Sequence, residues 1–125
     1  MILNHIALSI QNKEDLTDFY QNILGFHLEY QYEIDESLSS TIFDIEEPAE
    51  VFRYSKNNLH LELFVANAKI TPAFAHIGID VSDREVIVEK CKKAGYPLTR
   101  VERKEKYDLL FISDKAGNKF ELKDW

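Results

Sequence analysis

The sequence predicts an α+β fold made of two βαβββ modules, and two observations support this prediction. The segments 5–10 and 76–81 both begin with His-Ile, and the second follows the first after seventy-one positions. The two halves also end alike, since residues 61–63 read Leu-Glu-Leu and residues 120–122 read Phe-Glu-Leu. Self-similarity at this spacing indicates one supersecondary unit used twice. Pairing the units covers the apolar sheet face that each would expose, which predicts a curved mixed sheet, or half-barrel, around a central cleft.

The length of 125 residues suits one compact domain, which we divide into module 1 (about 1–65), a linker (66–73) and module 2 (about 74–125). The hydrophobic share of 45% and the charged share of 30% are those of an ordinary globular protein. The net charge of −7 argues against nucleic acid or an anionic membrane as partner, because neither is attracted to such a surface. A small molecule is the expected partner.

The N-terminus has neither a basic segment nor a continuous apolar run, so we expect neither a signal peptide nor a membrane span. We therefore expect a cytoplasmic protein. The single cysteine, Cys91, has no partner for an internal disulfide. It lies on the apolar face of a predicted helix, where an inert buried thiol is the preferred interpretation.

In module 1, alternation over residues 3–10 predicts a strand with His5 and Ser9 on one face. An amphipathic helix follows, for which Asn12 and Asp15 have the spacing of an N-cap and its partner, and Gly25 provides the C-terminal stop. The aromatic residues of this helix are predicted to pack on the sheet.

The rest of module 1 is predicted as strands joined by turns. The polar segment 35–40 is interpreted as a solvated connector in preference to a mobile lid. The predicted strands cover residues 26–32, 41–45, 51–54 and 59–65, with turns at 46–48 and 57–58. Alternation in the last strand places His60, Glu62 and Phe64 on one face.

Module 2 repeats this plan. A strand is predicted at 74–81, followed by a helix with a capping box of Ser82 and Glu85 and a stop at Gly95. The remaining strands are predicted at 97–101, 109–113 and 119–123, with a charged turn at 102–106 and a left-handed position at Gly117. In the aligned halves, two histidines and two glutamates take equivalent places: His5 with His76, and Glu62 with Glu121.

The whole chain resembles the vicinal-oxygen-chelate superfamily, which includes glyoxalase I, bleomycin-resistance proteins and extradiol dioxygenases. The residues that carry the resemblance are weak signals one by one and specific in this order: the start at 5–8, Phe19-Tyr20 with Leu24-Gly25-Phe26, the strand at 61–63, the restart at 76–78 and the end at 117–122.

The resemblance implies that His5, Glu62, His76 and Glu121 bind a divalent metal ion in the central cleft. Imidazole and carboxylate ligands suit zinc, nickel, cobalt, manganese or iron. One strand histidine alone is more often a satisfied core residue, but four polar residues at related places favour a site. His60 lies on the same face as Glu62 and is an alternative ligand. It ranks second because it aligns with Lys119, which has no ligand role in the second repeat.

The His, Glu, His, Glu set resembles glyoxalase I more than the dioxygenases. It implies a lyase or isomerase that acts on a small 2-oxo or hemithioacetal substrate through an enediolate, with Glu121 as the favoured base and Glu62 as its symmetry mate. Glyoxalase I enzymes carry an arginine where this chain has Ser9, so glutathione as the thiol is an open question. A homodimer is also implied.

The competing hypothesis is a protein of the same fold that binds an antibiotic or metabolite without chemistry, as the bleomycin-resistance members do. Those members lack the metal ligands, so the presence of all four residues favours an enzyme.

Overall fold

The computed structural model describes residues 1–66 and 71–124. Module 1 contains β1 (Ile6–Ile10), α1 (Leu16–Ile23), β2 (His27–Ile34), α2 (Glu36–Phe43), β3 (Ala49–Lys56) and β4 (Leu59–Val65). Module 2 contains β5 (Ile77–Val81), α3 (Arg84–Ala94), β6 (Leu98–Arg103), β7 (Lys106–Ser113) and β8 (Lys119–Asp124). Residues 67–70 of the linker predicted at 66–73 lie outside the described residues.

Each module forms its own four-stranded mixed sheet. The strand orders are β1-β4-β3-β2 and β5-β8-β7-β6, and in each sheet the first pair is parallel while the others are antiparallel. The predicted α+β class with paired modules is confirmed. The strands form two sheets, however, where one continuous sheet was predicted, because each module pairs its strands internally and the modules meet through α1 and α3.

The core lies where the two helices pack between the sheets. Phe19 of α1 is fully buried, and its ring centroid lies 5.1 Å from that of Tyr96 and 5.7 Å from that of Phe120. Both sheets contribute buried aliphatic side chains to the same cluster: Leu61, Leu63, Leu110, Ile112 and Leu122. Cys91 is buried among them, and burial raises the pKa of its thiol to about 11, in agreement with the predicted inert cysteine.

The segment between β2 and β3 is helical, so the predictions of a connector at 35–40 and a strand at 41–45 were wrong. Asp35 starts α2 as its N-cap, and its carboxylate accepts a hydrogen bond from the Leu38 N–H at 2.8 Å. The acidic and serine-rich stretch is therefore a helix N-terminus, where such residues satisfy free N–H groups. The helix ends at Asp44, which takes the left-handed conformation with φ of 57°.

The two predicted caps also need correction. Asp83 caps α3 in place of Ser82, since its side chain accepts hydrogen bonds from the N–H groups of Glu85 and Val86. No side chain caps α1, which begins after Asp15. The Asp15 carboxylate is instead fully buried and hydrogen-bonded to module 2.

Buried carboxylates connect the two modules in both directions. Asp15 of module 1 accepts hydrogen bonds from the Tyr96 hydroxyl at 2.7 Å and from the Lys115 N–H at 2.8 Å. Asp114 of module 2 accepts one from the Tyr20 hydroxyl of α1 at 2.7 Å. Asn118 donates from Nδ2 both to Asp114 and to the Ser9 carbonyl of β1, each at 2.7 Å. The packing of the helices is thus fixed by polar contacts as well as by the apolar core.

Replacement of Tyr20 by phenylalanine tests this connection. We expect Tyr20→Phe to lower the free energy of unfolding by about 1–3 kcal/mol, because it removes a hydrogen bond from a buried carboxylate. Burial, followed by the charge of Asp114, raises the pKa of the Tyr20 phenol, so the hydroxyl donates throughout the neutral range. Urea unfolding measures the change. Tyr107→Phe, at a tyrosine that is 80% exposed, is the matched control and should have almost no effect.

Two candidate metal-binding half-sites

The first half-site contains His5 and Glu62. Glu62 lies in the middle of β4 between Leu61 and Leu63, which face the core, so its side chain points to the other face of the sheet. His5 directly precedes β1, whose first residue pairs with Leu61. The His5 Nδ1 atom consequently lies 3.2 Å from Oε2 of Glu62.

The second half-site repeats this arrangement. Glu121 lies in β8 between two core residues, and His76 directly precedes β5. The Nε2 atom of His76 lies 3.4 Å from Oε2 of Glu121. Nδ1 of His76 lies 2.8 Å from the carbonyl oxygen of Phe74, which fixes the ring and, with Nδ1 as donor, leaves a lone pair on Nε2. In metal-binding histidines the ring nitrogen that does not face the ion typically donates to a carbonyl or carboxylate in this way.

The distance in the second pair suits two ligands of one ion, whereas Nδ1 of His5 also lies 2.8 Å from Oδ1 of Asn4, which leaves Nε2 as the His5 nitrogen available to an ion. Two atoms about 2.1 Å from a common centre, at tetrahedral or octahedral angles, are about 3.0–3.4 Å apart. The side chains of His5 and His76 are 37% and 40% exposed, so an ion could reach both of them. The sequence-predicted residues therefore come together as two pairs, each with one imidazole and one carboxylate.

The two pairs do not join into one site within the chain. Across residues 1–66 and 71–124, no three His, Cys, Asp or Glu side chains are grouped so that they could hold a metal ion. The reason is the packing of the modules, because both carboxylates point away from the shared core. Each chain thus offers two separate two-residue half-sites.

An arginine that the sequence analysis missed makes the half-sites different. Arg53 of β3 pairs in register with Glu62, and its Nη1 atom lies 3.0 Å from the Oε2 atom of that carboxylate. The Tyr32 hydroxyl donates to Oε1 of the same carboxylate. In module 2 the residue paired with Glu121 is Phe111, and the nearby cation is Lys123, with Nζ 3.6 Å from Oε1. Glu62 is held on both oxygens, whereas Glu121 has looser contacts.

The position of Arg53 could have been found from the sequence. The turn predicted at 57–58 is correct, and Asn57 takes the left-handed φ of 53° there. A hairpin centred on this turn places residue 53 opposite residue 62. The signal was therefore present in the register of the hairpin, although the residue has no counterpart in the second repeat.

His60, the alternative ligand, lies in the same neighbourhood but contacts another carboxylate. Its Nδ1 atom is 3.4 Å from Oε1 of Glu29, and the Nε atom of Arg53 is 3.6 Å from Oε2 of that residue. Neither nitrogen has a hydrogen-bond partner among the described residues, and both are buried. His60 thus borders the half-site, and its part in metal binding stays a second-ranked hypothesis.

The contact with Glu62 affects the ionisation of Tyr32. Partial burial, followed by the hydrogen bond to Glu62 and the charge of Glu62, raises the pKa of this phenol to about 12. The neutral phenol is the form that donates to the carboxylate. Its contribution to stability is therefore complete below pH 10, the usual pKa of a tyrosine, and is lost as the pH rises through about 12.

The variant Glu62→Gln should lower the pKa of Tyr32, because it removes the negative charge that opposes the tyrosinate. The part of the shift that comes from burial should remain. The Cζ resonance of Tyr32, followed by carbon NMR from pH 8 to 13 without metal, measures the change. Glu29→Gln is the control, since Glu29 makes no hydrogen bond to Tyr32. An unchanged Tyr32 titration in Glu62→Gln would contradict the assigned contact.

Comparison with known proteins places this architecture in a family. The family model of the glyoxalase/bleomycin resistance protein/dioxygenase superfamily matches residues 2–122. A lactoylglutathione lyase of Neisseria meningitidis is 26% identical over 137 residues, which cover 98% of this chain and 89% of the relative.

Solved structures agree with this match at the level of the fold. A glyoxalase family protein from Bacillus cereus superposes with a TM-score of 0.74 at 16% identity, covering 98% of this chain and 92% of the other. The fosfomycin resistance protein FosX from Listeria monocytogenes gives 0.75 at 19% identity, covering 100% and 93%. An E126Q mutant of that FosX, with a TM-score of 0.74 at 22% identity over 98% and 92%, was solved with Mn(II) and 1S,2S-dihydroxypropylphosphonic acid.

The described part of the chain has no helix long and apolar enough to cross a membrane. The fold, the repeated histidine and glutamate positions and the family match over 2–122 lead to one conclusion: the chain belongs to the glyoxalase/bleomycin resistance protein/dioxygenase superfamily.

Proposed function

We propose that the protein is a metal-dependent, glyoxalase I-like lyase or isomerase that moves a proton next to the carbonyl of a small 2-oxo or hemithioacetal substrate. The observation that carries this proposal is the recurrence of one histidine–glutamate pair at the same place in both modules, with an imidazole nitrogen 3.2 Å or 3.4 Å from a carboxylate oxygen. A chance surface ion pair has no reason to appear at both related positions. The 26% identity to a lactoylglutathione lyase supports the same reaction class.

The complete site is formed by two chains in this proposal. His5 and Glu62 of one chain meet His76 and Glu121 of a second copy, so that a symmetric homodimer contains two equal sites. The orientation of the half-sites supports this arrangement, since both point away from the core that joins the modules within one chain. Each half-site is then an interface that a second copy completes.

The four residues suit a divalent ion such as zinc, nickel, cobalt, manganese or iron. When bound, such an ion polarises two neighbouring substrate oxygens and stabilises the negative charge that develops as the proton leaves. His5, Glu62, His76 and Glu121 would hold the ion. The ring of His76 is oriented for this by its contact with the Phe74 carbonyl at 2.8 Å.

Glu121 takes the proton from the carbon next to the carbonyl and returns it to the neighbouring carbon. A base needs a free lone pair and some freedom to move. Glu62 is restrained, because Arg53 and Tyr32 each engage one of its oxygens, although lone pairs remain on both oxygens for a metal ion. Glu121 has a histidine at 3.4 Å and a lysine at 3.6 Å, and it lies beside the ring of Phe111. The unequal surroundings thus favour Glu121 as the base and Glu62 as a fixed ligand.

A heterodimer experiment tests both the site and its location. His5→Ala/Glu62→Gln inactivates one half-site, and His76→Ala/Glu121→Gln inactivates the other. The two variants are co-expressed with different affinity tags, and the heterodimer is purified through both tags. A site shared between chains predicts about half of the wild-type metal content per dimer, because one site keeps all four ligands. Elemental analysis without chelator gives the metal content.

Wild-type chains with the two tags are the control. A site within one chain would leave the heterodimer with no intact site, and a monomer by light scattering would refute the shared site. Turnover is measured with methylglyoxal hemithioacetals of several thiols, where we expect about half of the wild-type rate. Metal binding without any turnover would support the competing function, a protein that only binds a small molecule.

A further inference from the structure

A cavity of about 610 Å³ lies beside the first half-site. Ala7 and Ser9 of β1 line it, two and four residues after His5, and Phe64 of β4 lines it two residues after Glu62. Since alternate strand residues share a face, the cavity opens on the same sheet face as the half-site, about 7 Å further along the strands. Its size is that of a small-molecule site.

The roof of the cavity is a feature that the repeat does not share. In module 1, α2 and the following residues join β2 to β3, and Ser39, Phe43 and Ile45 of this segment cover the sheet. The Phe43 ring packs edge-on against Phe64, with centroids 5.6 Å apart. In module 2, a two-residue turn at 104–105 joins the corresponding strands β6 and β7. The cavity therefore belongs to module 1 and gives the two ends of the site different surroundings.

The lining is almost wholly apolar. Its described residues include no lysine, arginine or histidine, and its polar side chains are Ser9, Ser39 and Glu47. A carboxylate entering such a space would lose its water without gaining a cationic partner, and Glu47 would repel it. Ser9 stands where the resemblance leads one to expect an arginine. Ser9 is therefore a small, uncharged side chain among mostly apolar lining residues.

We propose that this cavity binds an uncharged apolar substituent of the substrate, and that the substrate is a small vicinal-oxygen compound with an alkyl or aryl group in place of a glutathione conjugate. The proposal rests on the proposed function for the oxygen-bearing end of the molecule. The apolar end is recognised by Phe43, Phe64 and the aliphatic residues around them. The oxygens then lie toward His5 and Glu62, at the open side of the cavity.

Straight-chain hydroxamic acids test this inference, because they carry two neighbouring oxygens, are neutral at pH 7 and can be lengthened by single methylenes. Acetohydroxamic to octanohydroxamic acid are titrated calorimetrically into the manganese-loaded protein. We expect the affinity to rise about threefold to fourfold with each added methylene until the cavity is filled. The tripeptide glutathione should bind more weakly than hexanohydroxamic acid.

A second measurement isolates the cavity from the metal. Octanohydroxamic acid is added to metal-free protein, and amide NMR shifts are recorded. We expect shifts at Ser9, Ala49 and Phe64 and none at Gly78, the module 2 counterpart of Ala7. This result would stand even if the protein binds no metal. Failure of the proposed function and failure of this inference are thereby distinguished.

Two variants and a control locate the binding. Ala49→Phe places a ring in the cavity and should abolish the dependence on chain length, while Phe43→Ala enlarges the cavity and should move the optimum to longer chains. Val86→Phe adds the same ring to a half-exposed position of α3 and should change neither result.

Several outcomes would overturn the inference. These are a chain-length series with constant affinity, a wild-type response in Ala49→Phe, and turnover that prefers glutathione conjugates to apolar ones. A further one is that the cavity resonances shift with protein concentration and not with ligand, which would mean that a second copy fills the space.

Discussion

The exchange of buried carboxylates between the modules is the constraint on which the rest of the molecule depends. Asp15 of module 1 binds Tyr96 and Lys115, and Asp114 of module 2 binds Tyr20. A buried carboxylate is costly without such partners, so these contacts define one way of packing the helices between the sheets. That packing covers one face of each sheet and leaves both half-sites on the opposite faces. The location of the candidate chemistry is thus a consequence of how the modules are joined.

The repeat gives two similar candidate half-sites, but the surroundings of their carboxylates differ. The substitution of Phe111 for the equivalent of Arg53 provides this difference. A guanidinium at 3.0 Å fixes Glu62 and balances its charge, whereas Glu121 is paired across the strands with Phe111 and has the Lys123 ammonium at 3.6 Å. Carboxylates in unlike surroundings take unlike roles in many acid–base sites. A single arginine thus makes the surroundings of Glu62 different from those of Glu121.

The sequence predicted what the repeat and the alternation encode, which are the fold class, most strands and the equivalent positions of two histidines and two glutamates. It placed all four residues in one cleft, whereas the structure brings them together as two separate pairs. It failed where tertiary contacts override local signals. Asp15 has the spacing of a capping residue and instead binds module 2, a contact across eighty-one positions that no local pattern records. The sequence did not predict α2, because the β-branched residues Thr41 and Ile42 near its end are typical of a strand. The cap at Asp35 is also typical of a loop. Arg53 is not evident from comparing the two repeats, because the second repeat has Phe111 at the equivalent place. Only the register of the β3–β4 hairpin places Arg53 opposite Glu62.

The inserted helix and the arginine lie in the same module, and this has a consequence for how a substrate would be oriented. An apolar substituent in the cavity under α2 places the attached carbon near Glu62, the carboxylate that is already held. The rest of the molecule then extends out of module 1. In a dimer with shared sites, the side of the substrate that faces the second chain is the side on which Glu121 acts. The substituent would therefore bind to one chain and the proton would be moved by the other, and the difference between the two modules of each chain would give the symmetric dimer a defined direction of reaction.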